Sequence, residues 1–354
     1  MLKPCYFVGF TGHRTGFDEA AAGTAIRKAL RDVQARADRL GGRAELCTSV
    51  AEGADTLCVE IARELDMPVH LLVPLAEADF EADFTSPASW RRSEAQLEFA
   101  RQRPGRDSVC QVPGGAPRPA CYFDQAIYML DSADVLIALW NGEAAQGLGG
   151  TEQVVAQAKA TGIPVIHIDP ASGKTAILGD LDAPFRPDPI LTELNRIAAA
   201  EAPGCAADAA TPDGLQTCLD TIAMREAGRF RPSLVRIIFF HGLAALLAAI
   251  VTFKAADLPV WEDLKWTVTL LELLLVSSAL WMTFRLHRQH TQHLWIRCRM
   301  ACEVVRGLRA SVPLLDPLHP AVAHHDPAWR RFALSAGLLV LAHQPTADAE
   351  GNLY

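Results

Sequence analysis

The chain has 354 residues, more than one average domain holds, so two units are expected. Hydrophobic residues make up 50% and mean hydropathy is +0.12, which points to membrane segments, while aromatics supply only 7%, so the excess lies in Leu, Ala, Val and Ile. A net charge of −8 with pI near 5.8 gives no global basic field and disfavours nucleic acid as a partner, and nine scattered cysteines without a CxxC pair read as reduced cytosolic thiols rather than a disulfide framework.

Met1–Lys3 leads straight into a strand, Tyr6–Thr11 (YFVGFT), with no signal-peptide pattern. Gly12-His13-Arg14 follows, then a helix on which Ile26, Leu30, Val33, Ala37 and Leu40 recur along one face. After Gly41-Gly42, a second strand is expected over Ala44–Ser49 and a second helix carries Leu57, Ile61 and Leu65; Met67-Pro68 turns that helix into the strand Val69–Val73. This alternation predicts a doubly wound parallel α/β sheet with ligands at the carboxyl ends of its strands. Further on, the spacing predicts a helix over Ser89–Arg101, a short strand over Val109–Val112, a loop over Pro113–Pro119, a helix over Phe123–Ser132 and a strand over Val135–Trp140. A helix with Val154, Val155 and Ala158 and a strand over Val165–Ile168 complete about five to seven strands.

Three strand ends carry similar chemistry. Thr11, Gly12, His13 and Arg14 follow the first strand; Ser49, Glu52, Gly53 and Asp55 follow the second; Trp140 closes the strand from Val135, after which Gly147, Gly149 and Gly150 deliver Thr151 to a helix start. Helix N-termini expose unpaired N–H groups, and glycines let an anion approach them. Taken singly, each stretch reads as an ordinary βα loop with Thr, Ser or Asp as a helix cap, and His13 as a loop histidine. Convergence of the three on one sheet edge favours a phosphate-bearing ligand.

FTGHR at Phe10–Arg14, SVAEGAD at Ser49–Asp55, DFTSP at Asp83–Pro87 and ADVLIALWNG followed by GLGGT resemble the SLOG superfamily, whose Rossmann-like fold is shared with the lonely-guy phosphoribohydrolases and DprA proteins. The resemblance implies a nucleotide or nucleotide-derived ligand, hydrolysed at its N-glycosidic bond by some members and only sensed by others. Lonely-guy enzymes carry a glutamate three residues after the signature threonine, where this chain has Val154; Glu152 follows Thr151 directly, on a different helical face. Glu52 or Asp55 could stand in for that catalytic carboxylate, and Asp55 is equally suited to cap a helix or accept ribose hydroxyls. Sensing is favoured over turnover.

Pro170–Gly228 loses the strand rhythm, with helices expected over Pro189–Glu201 and around Leu215–Arg225. Ala171-Ser172-Gly173-Lys174-Thr175 has the Lys-Thr of a phosphate-binding loop, but position 168 is Ile where that loop needs glycine, so it reads as a turn. Ile237–Phe253 and Trp266–Phe284 then give 17 and 19 mostly apolar residues. These reach roughly 26 and 28 Å, close to the hydrocarbon core of a bilayer. Trp261, Trp266 and Trp281 suit interfacial anchoring. Arg225, Arg229, Arg231 and Arg236 precede the first span, and Arg285, Arg288, Arg297 and Arg299 follow the second. The intervening loop sets Lys254 and Lys265 against Asp257, Glu262 and Asp263, so both termini are expected in the cytoplasm of a two-pass inner-membrane protein. His241 and Glu272 lie inside the spans at different depths; Glu272 reads either as facing a bundle interior or pore, or as a protonated interfacial residue.

Leu294, Cys298, Ala301, Val305, Leu308 and Val312 form a packing stripe, which favours core packing over metal binding for Cys298 and Cys302; His287, His290 and His293 read as headgroup-facing. Two spans followed by WIRCRMACEVVRGLR resemble the SLATT domain, a two-helix membrane effector accompanying SLOG sensors in bacterial conflict systems. The resulting organisation is a nucleotide-binding domain over residues 1–170, a helical extension over 171–230, a membrane effector over 231–312 and a final segment over 313–354. The expectation is a membrane-anchored nucleotide sensor that forms a homo-oligomer and breaches the membrane, with room for a signal-producing partner enzyme and no need of a cofactor or metal. The alternative is a membrane-tethered nucleotide N-glycosidase or NAD-consuming enzyme.

Overall fold

A computed structural model of the chain describes residues 2–112, 114, 117–144, 149–201, 211–252, 261–288, 291–311 and 328–344. Cys205, Gly147, His290, Val312, Lys254, Asp257 and part of the Pro113–Pro119 loop lie outside the described residues. The chain forms two compact units. One carries residues 1–196 and, from far along the sequence, the helix Arg330–Leu341; the other carries residues 213–304.

The first unit is built on a seven-stranded sheet: β1 (Cys5–Gly12), β2 (Arg43–Thr48), β3 (Val69–Val73), β4 (Ser108–Gln111), β5 (Val135–Leu139), β6 (Val165–Ile168) and β7 (Thr175–Leu178), in the order β4-β3-β2-β1-β5-β6-β7. The first six strands are parallel, and β7 runs antiparallel to β6. β5 and, apart from His70, β3 are short apolar runs, and both are buried along their whole length, as strands covered on both faces must be. Along β1 the pleat sends Tyr6, Val8 and Phe10 to a core shared with helices α1 (Glu19–Arg39), α2 (Ala54–Glu64) and α4 (Pro87–Arg101), which follows the five-residue α3 (Glu77–Glu81). Cys5 and Phe7 go to the opposite core, against α5 (Arg118–Ser132), α6 (Thr151–Ala160) and the Arg330–Leu341 helix. The sheet is thus covered on both sides.

Local chemistry sets the boundaries. Asp18 caps α1, its carboxylate accepting from the N–H groups of Ala20 and Ala21 at 2.8 and 3.0 Å; Arg36 and Arg39 lie in the last turn. Ser86 and Ser89 form a capping box at the start of α4. Helix α5 begins at Arg118 rather than near Phe123, because Pro119 is compatible with a first helical turn. The Ala171–Thr175 turn is the tip of a hairpin: Asp169 accepts from Ser172 N–H at 2.7 Å, Gly173 takes a φ of 64°, and β7 follows. The sequence does not predict β7, because its four residues, TAIL, are too few and too exposed to show a period.

The Arg330–Leu341 helix is locked to the sheet. Arg330 and Arg331 both pair with Asp134 Oδ1, at 3.0 and 3.1 Å, while Asp134 Oδ2 accepts from Phe7 N–H at 2.9 Å. Arg331 also donates to the Cys5 carbonyl at 2.8 Å, and Ser335 Oγ accepts from Cys5 N–H at 3.1 Å.

In the second unit, Pro212–Thr252 is one unbroken 41-residue helix with Pro232 inside it, so the expected separation between a linker helix near Arg225 and a span from Ile237 does not exist. Among the described residues, two further helices follow it, Trp261–Arg288 and Thr291–Ser311, the latter running past residue 304. Two of the three are long and apolar enough to cross a membrane, and only 6% of each apolar window is buried. Leu234, Ile238, Phe239, Leu246, Leu270, Leu273, Leu274 and Leu280 are exposed, which is unlike the buried core helices of a soluble domain. Cys298, Ala301, Cys302, Val305 and Leu308 are buried, as the stripe requires.

Candidate functional site

Strands β1, β2 and β5 end together. Phe10 pairs with Thr48 and Gly12 with Leu139. The chain leaves β1 for β2, β3 and β4 on one side and returns to β5 on the other, so strand order reverses at β1/β5, where open α/β sheets leave a crevice. A cavity of about 460 Å³ opens there. Thr11, Gly12, His13, Arg14, Ser49, Asp55, Trp140, Gly149, Gly150 and Thr151 all line it. Glu52 and Gly53 instead line a neighbouring hollow that shares Arg14, Thr15 and Gly16 with the first.

His13 acts as a fastener. Its N–H donates to the Leu139 carbonyl at 3.2 Å, its carbonyl accepts from Ala54 N–H at 3.1 Å, and its ring Nε2 accepts from Asn141 N–H at 3.0 Å. One residue therefore ties the ends of β1 and β5 to the start of α2. Close approach demands the glycines beside it: a Cβ on Gly12 would lie 2.6 Å from Ala54 Cβ, and one on Gly53 2.1 Å from the Arg14 carbonyl oxygen, with Gly53 at a φ of 94°. Gly53→Ala is expected to destabilise the sheet unit by about 1–3 kcal/mol and to loosen the cavity, read as faster amide exchange across residues 11–16 and 50–56.

Glu52 does not face the cavity; its carboxylate accepts from the backbone N–H of Thr85 at 3.0 Å and from the Thr85 hydroxyl. Its partial burial would raise its pKa, but the bonds from Thr85 and Ser89 outweigh that and hold it below the usual range. Glu52 thus organises the DFTSP segment. Asp55 is different. It is 9% exposed, and its Oδ1 has no hydrogen-bond partner among the described residues, nor has the buried Ser49 Oγ beside the same cavity. Burial pushes the Asp55 carboxyl up to about 8, and the charge of Arg14 and a hydrogen bond from the Gly12 backbone offset only part of that. Two orphaned polar atoms at one cavity wall are costly unless a ligand satisfies them.

Both helices that start at the cavity lack a side-chain cap. Gly53 is the N-cap of α2 and Gly150 that of α6, so neither offers an oxygen to the first N–H groups. Gly149, at a φ of 83°, packs against the Tyr122 and Phe123 backbone, and its N–H is held by Gln153 Oε1 at 2.8 Å. Trp140 Nε1 donates to the Glu143 carbonyl at 2.8 Å, which fixes the indole at the rim. Glu152, which helical geometry alone sets apart from the signature position, also lines the cavity together with Val154, because residues of a helix's opening turn gather around its end.

Helix α5 supplies a wall that the sequence does not announce. Tyr122, Gln125 and Met129 line the cavity, and the Arg14 guanidinium sits 5.5 Å from the centre of the Tyr122 ring. Asp83 bonds to the Tyr122 hydroxyl and pairs with Arg118 at 2.9 Å, while its carbonyl accepts from Arg14 Nη1 at 3.3 Å. Burial, reinforced by Asp83, pushes the Tyr122 phenol well up, so it stays a protonated donor. An amphipathic helix preceding a strand carries no glycine or cap signature, so only the DFTSP motif hints at this clamp. The cavity can hold a small ligand that brings hydroxyl donors to Asp55, an anion to the helix ends and Arg14, and a flat group beside Tyr122 or Trp140. No protein-family model matches the chain, and no curated protein matches it.

Proposed function

We propose that the chain is a membrane-anchored sensor of a nucleotide or nucleotide-derived signal, the sheet unit reading the ligand and the two apolar helices acting on the membrane. The observation that carries the reading is the pair of unsatisfied groups, Asp55 Oδ1 and Ser49 Oγ, at the cavity where strand order reverses. A ribose diol supplies donors for Asp55, and the uncapped ends of α2 and α6 with Arg14 suit a phosphate. Resemblance to SLOG sensors fused to SLATT effectors supports the same division of labour and suggests a role in bacterial antiphage or conflict defence. The two helices cross the inner membrane as a hairpin with both termini cytoplasmic, following the arginines at their outer ends. Ligand binding drives oligomerisation and opens a pore or disrupts the bilayer. Within the spans, His241 Nδ1 bonds the Ile237 carbonyl of its own helix at 2.9 Å, whereas Glu272 has no partner among the described residues and is the better candidate for a contact between copies.

A second reading, a nucleotide N-glycosidase, is favoured by one observation: the buried Asp55, whose carboxyl burial pushes up to about 8, lines the same cavity as Glu152, and glycosidic cleavage uses two carboxyl groups. One experiment separates the two. The full chain in mild detergent is incubated with NAD, ADP-ribose, cyclic oligonucleotides and nucleoside monophosphates, and mass spectrometry follows what is retained and what is consumed. Retention without turnover, followed by ligand-dependent ion leakage from vesicles, is the expected result. Turnover abolished by Asp55→Asn but not by Glu52→Gln would make the protein an enzyme, and retention of nothing would overturn both readings.

A further inference from the structure

The second unit holds a cavity that nucleotide sensing does not use. It measures about 1000 Å³ and lies where the helices Pro212–Thr252, Trp261–Arg288 and Thr291–Ser311 meet. Two residues of the long helix make the room. Gly228 has no side chain, and a Cβ there would meet nothing within 4 Å. Pro232, one turn further on, has no N–H to give the Gly228 carbonyl. Both line the cavity.

The lining has two chemistries. Arg229, Arg236 and Arg285 bring three cations against one carboxylate, Glu226, which is already shared at 3.0 Å between Arg225 and Arg229. Arg236 has no hydrogen-bond or ion-pair partner among the described residues, and the Arg285 guanidinium lies 5.4 Å from the centre of the Trp281 ring. The remaining wall is apolar, with Phe240, Met282 and Leu286. A free phosphate would satisfy the arginines and leave the apolar wall bare, and a neutral lipid would do the reverse.

We propose that this cavity seats one anionic phospholipid of the surrounding membrane, its phosphate-bearing headgroup on Arg236, Arg285 and Arg229 and an acyl chain along Phe240, Met282 and Leu286. The assignment rests on the reading that the two apolar helices span a bilayer. Its position at the cationic end of both apolar stretches is where headgroups of an anionic leaflet lie. Such a lipid would bridge the helices that the hairpin must keep or separate when it acts.

The test is native mass spectrometry of the full chain in non-ionic detergent, titrated with phosphatidylglycerol, phosphatidylcholine or inorganic phosphate. Phosphatidylglycerol should be retained in preference to phosphatidylcholine, and Arg236→Ala and Arg285→Ala should each weaken it about fivefold. Gly228→Leu, which favours the helix and keeps every arginine, should block retention by filling the space. Equal retention of both lipids, indifference to all three variants, or full displacement by inorganic phosphate would overturn the assignment. Alkaline extraction of membranes carrying the full chain separates the two ideas: a chain that stays in the membrane yet shows no headgroup preference defeats the lipid site alone, and a chain that is extracted defeats the span as well.

Discussion

Asp134→Ala should cost the sheet unit about 3–5 kcal/mol, the usual effect of removing the buried member of an ion-pair network. Asp134 is 6% exposed, and its loss strips Arg330 and Arg331 of their shared carboxylate and Phe7 N–H of its acceptor. The pH dependence follows from the same groups. Burial would raise the Asp134 carboxyl, but Arg331 and Arg330 outweigh it and hold it below the usual range. The folded form therefore binds the proton less readily than the unfolded chain, so the stabilisation is complete above about pH 4 and fades as the pH falls through the folded value. Amide exchange of β1 and β5 in the full chain measures both effects. Exchange as slow in the variant as in the parent would show that the Arg330–Leu341 helix is not held this way.

Asp55→Asn should have the opposite effect on stability and a damaging one on binding. The carboxyl keeps its proton up to about pH 8 in the folded protein, while the unfolded chain gives it up near 3.8. Between these values the unfolded state is increasingly favoured, so the parent loses stability as the pH rises through that window. Asparagine, isosteric with the neutral acid, has no such loss. The gap corresponds to at most about 6 kcal/mol, so thermal midpoints of parent and variant should coincide near pH 4 and separate towards pH 8, the variant higher. Ligand retention should fall about 10- to 100-fold, since hydroxyl donors of a bound ligand favour the ionised carboxylate, which accepts at both oxygens, whereas asparagine accepts at only one. A more stable protein that binds less is the mark of a residue kept for function. Parallel midpoints across the whole range would mean that the acid is solvated or paired, and unchanged retention would remove it from the ligand.

Much of the fold is legible in the sequence. Parallel strands covered on both faces leave short, mainly apolar runs, here interrupted only by His70 and His167, so Val69–Val73 and Val165–Ile168 can be read to the residue. Loops at strand ends carry glycines and small polar residues in recognisable clusters, so ten of the cavity's residues stand out from their pattern alone. What the sequence conceals lies in contacts between distant segments. Tyr122 and Asp83 are 39 positions apart and nothing local announces their bond. Glu52 and Asp55 look alike as acids three positions apart, yet one turns to Thr85 and the other into the cavity, a difference fixed by the first turn of α2. The helix through Pro232 changes from a polar stretch to an apolar one along its length, so its two halves show different patterns and read as separate elements.

The return of Arg330–Leu341 to the sheet has a topological consequence. Residues on both flanks of the two apolar helices belong to one folded unit, joined through a buried carboxylate. Any bilayer threaded by the intervening chain must therefore be traversed an even number of times, whatever the charge of its flanks. Synthesis order adds a constraint of its own: the ribosome has made both apolar helices before the last helix of the sheet unit exists, so that unit is completed only after the intervening segment has been synthesised.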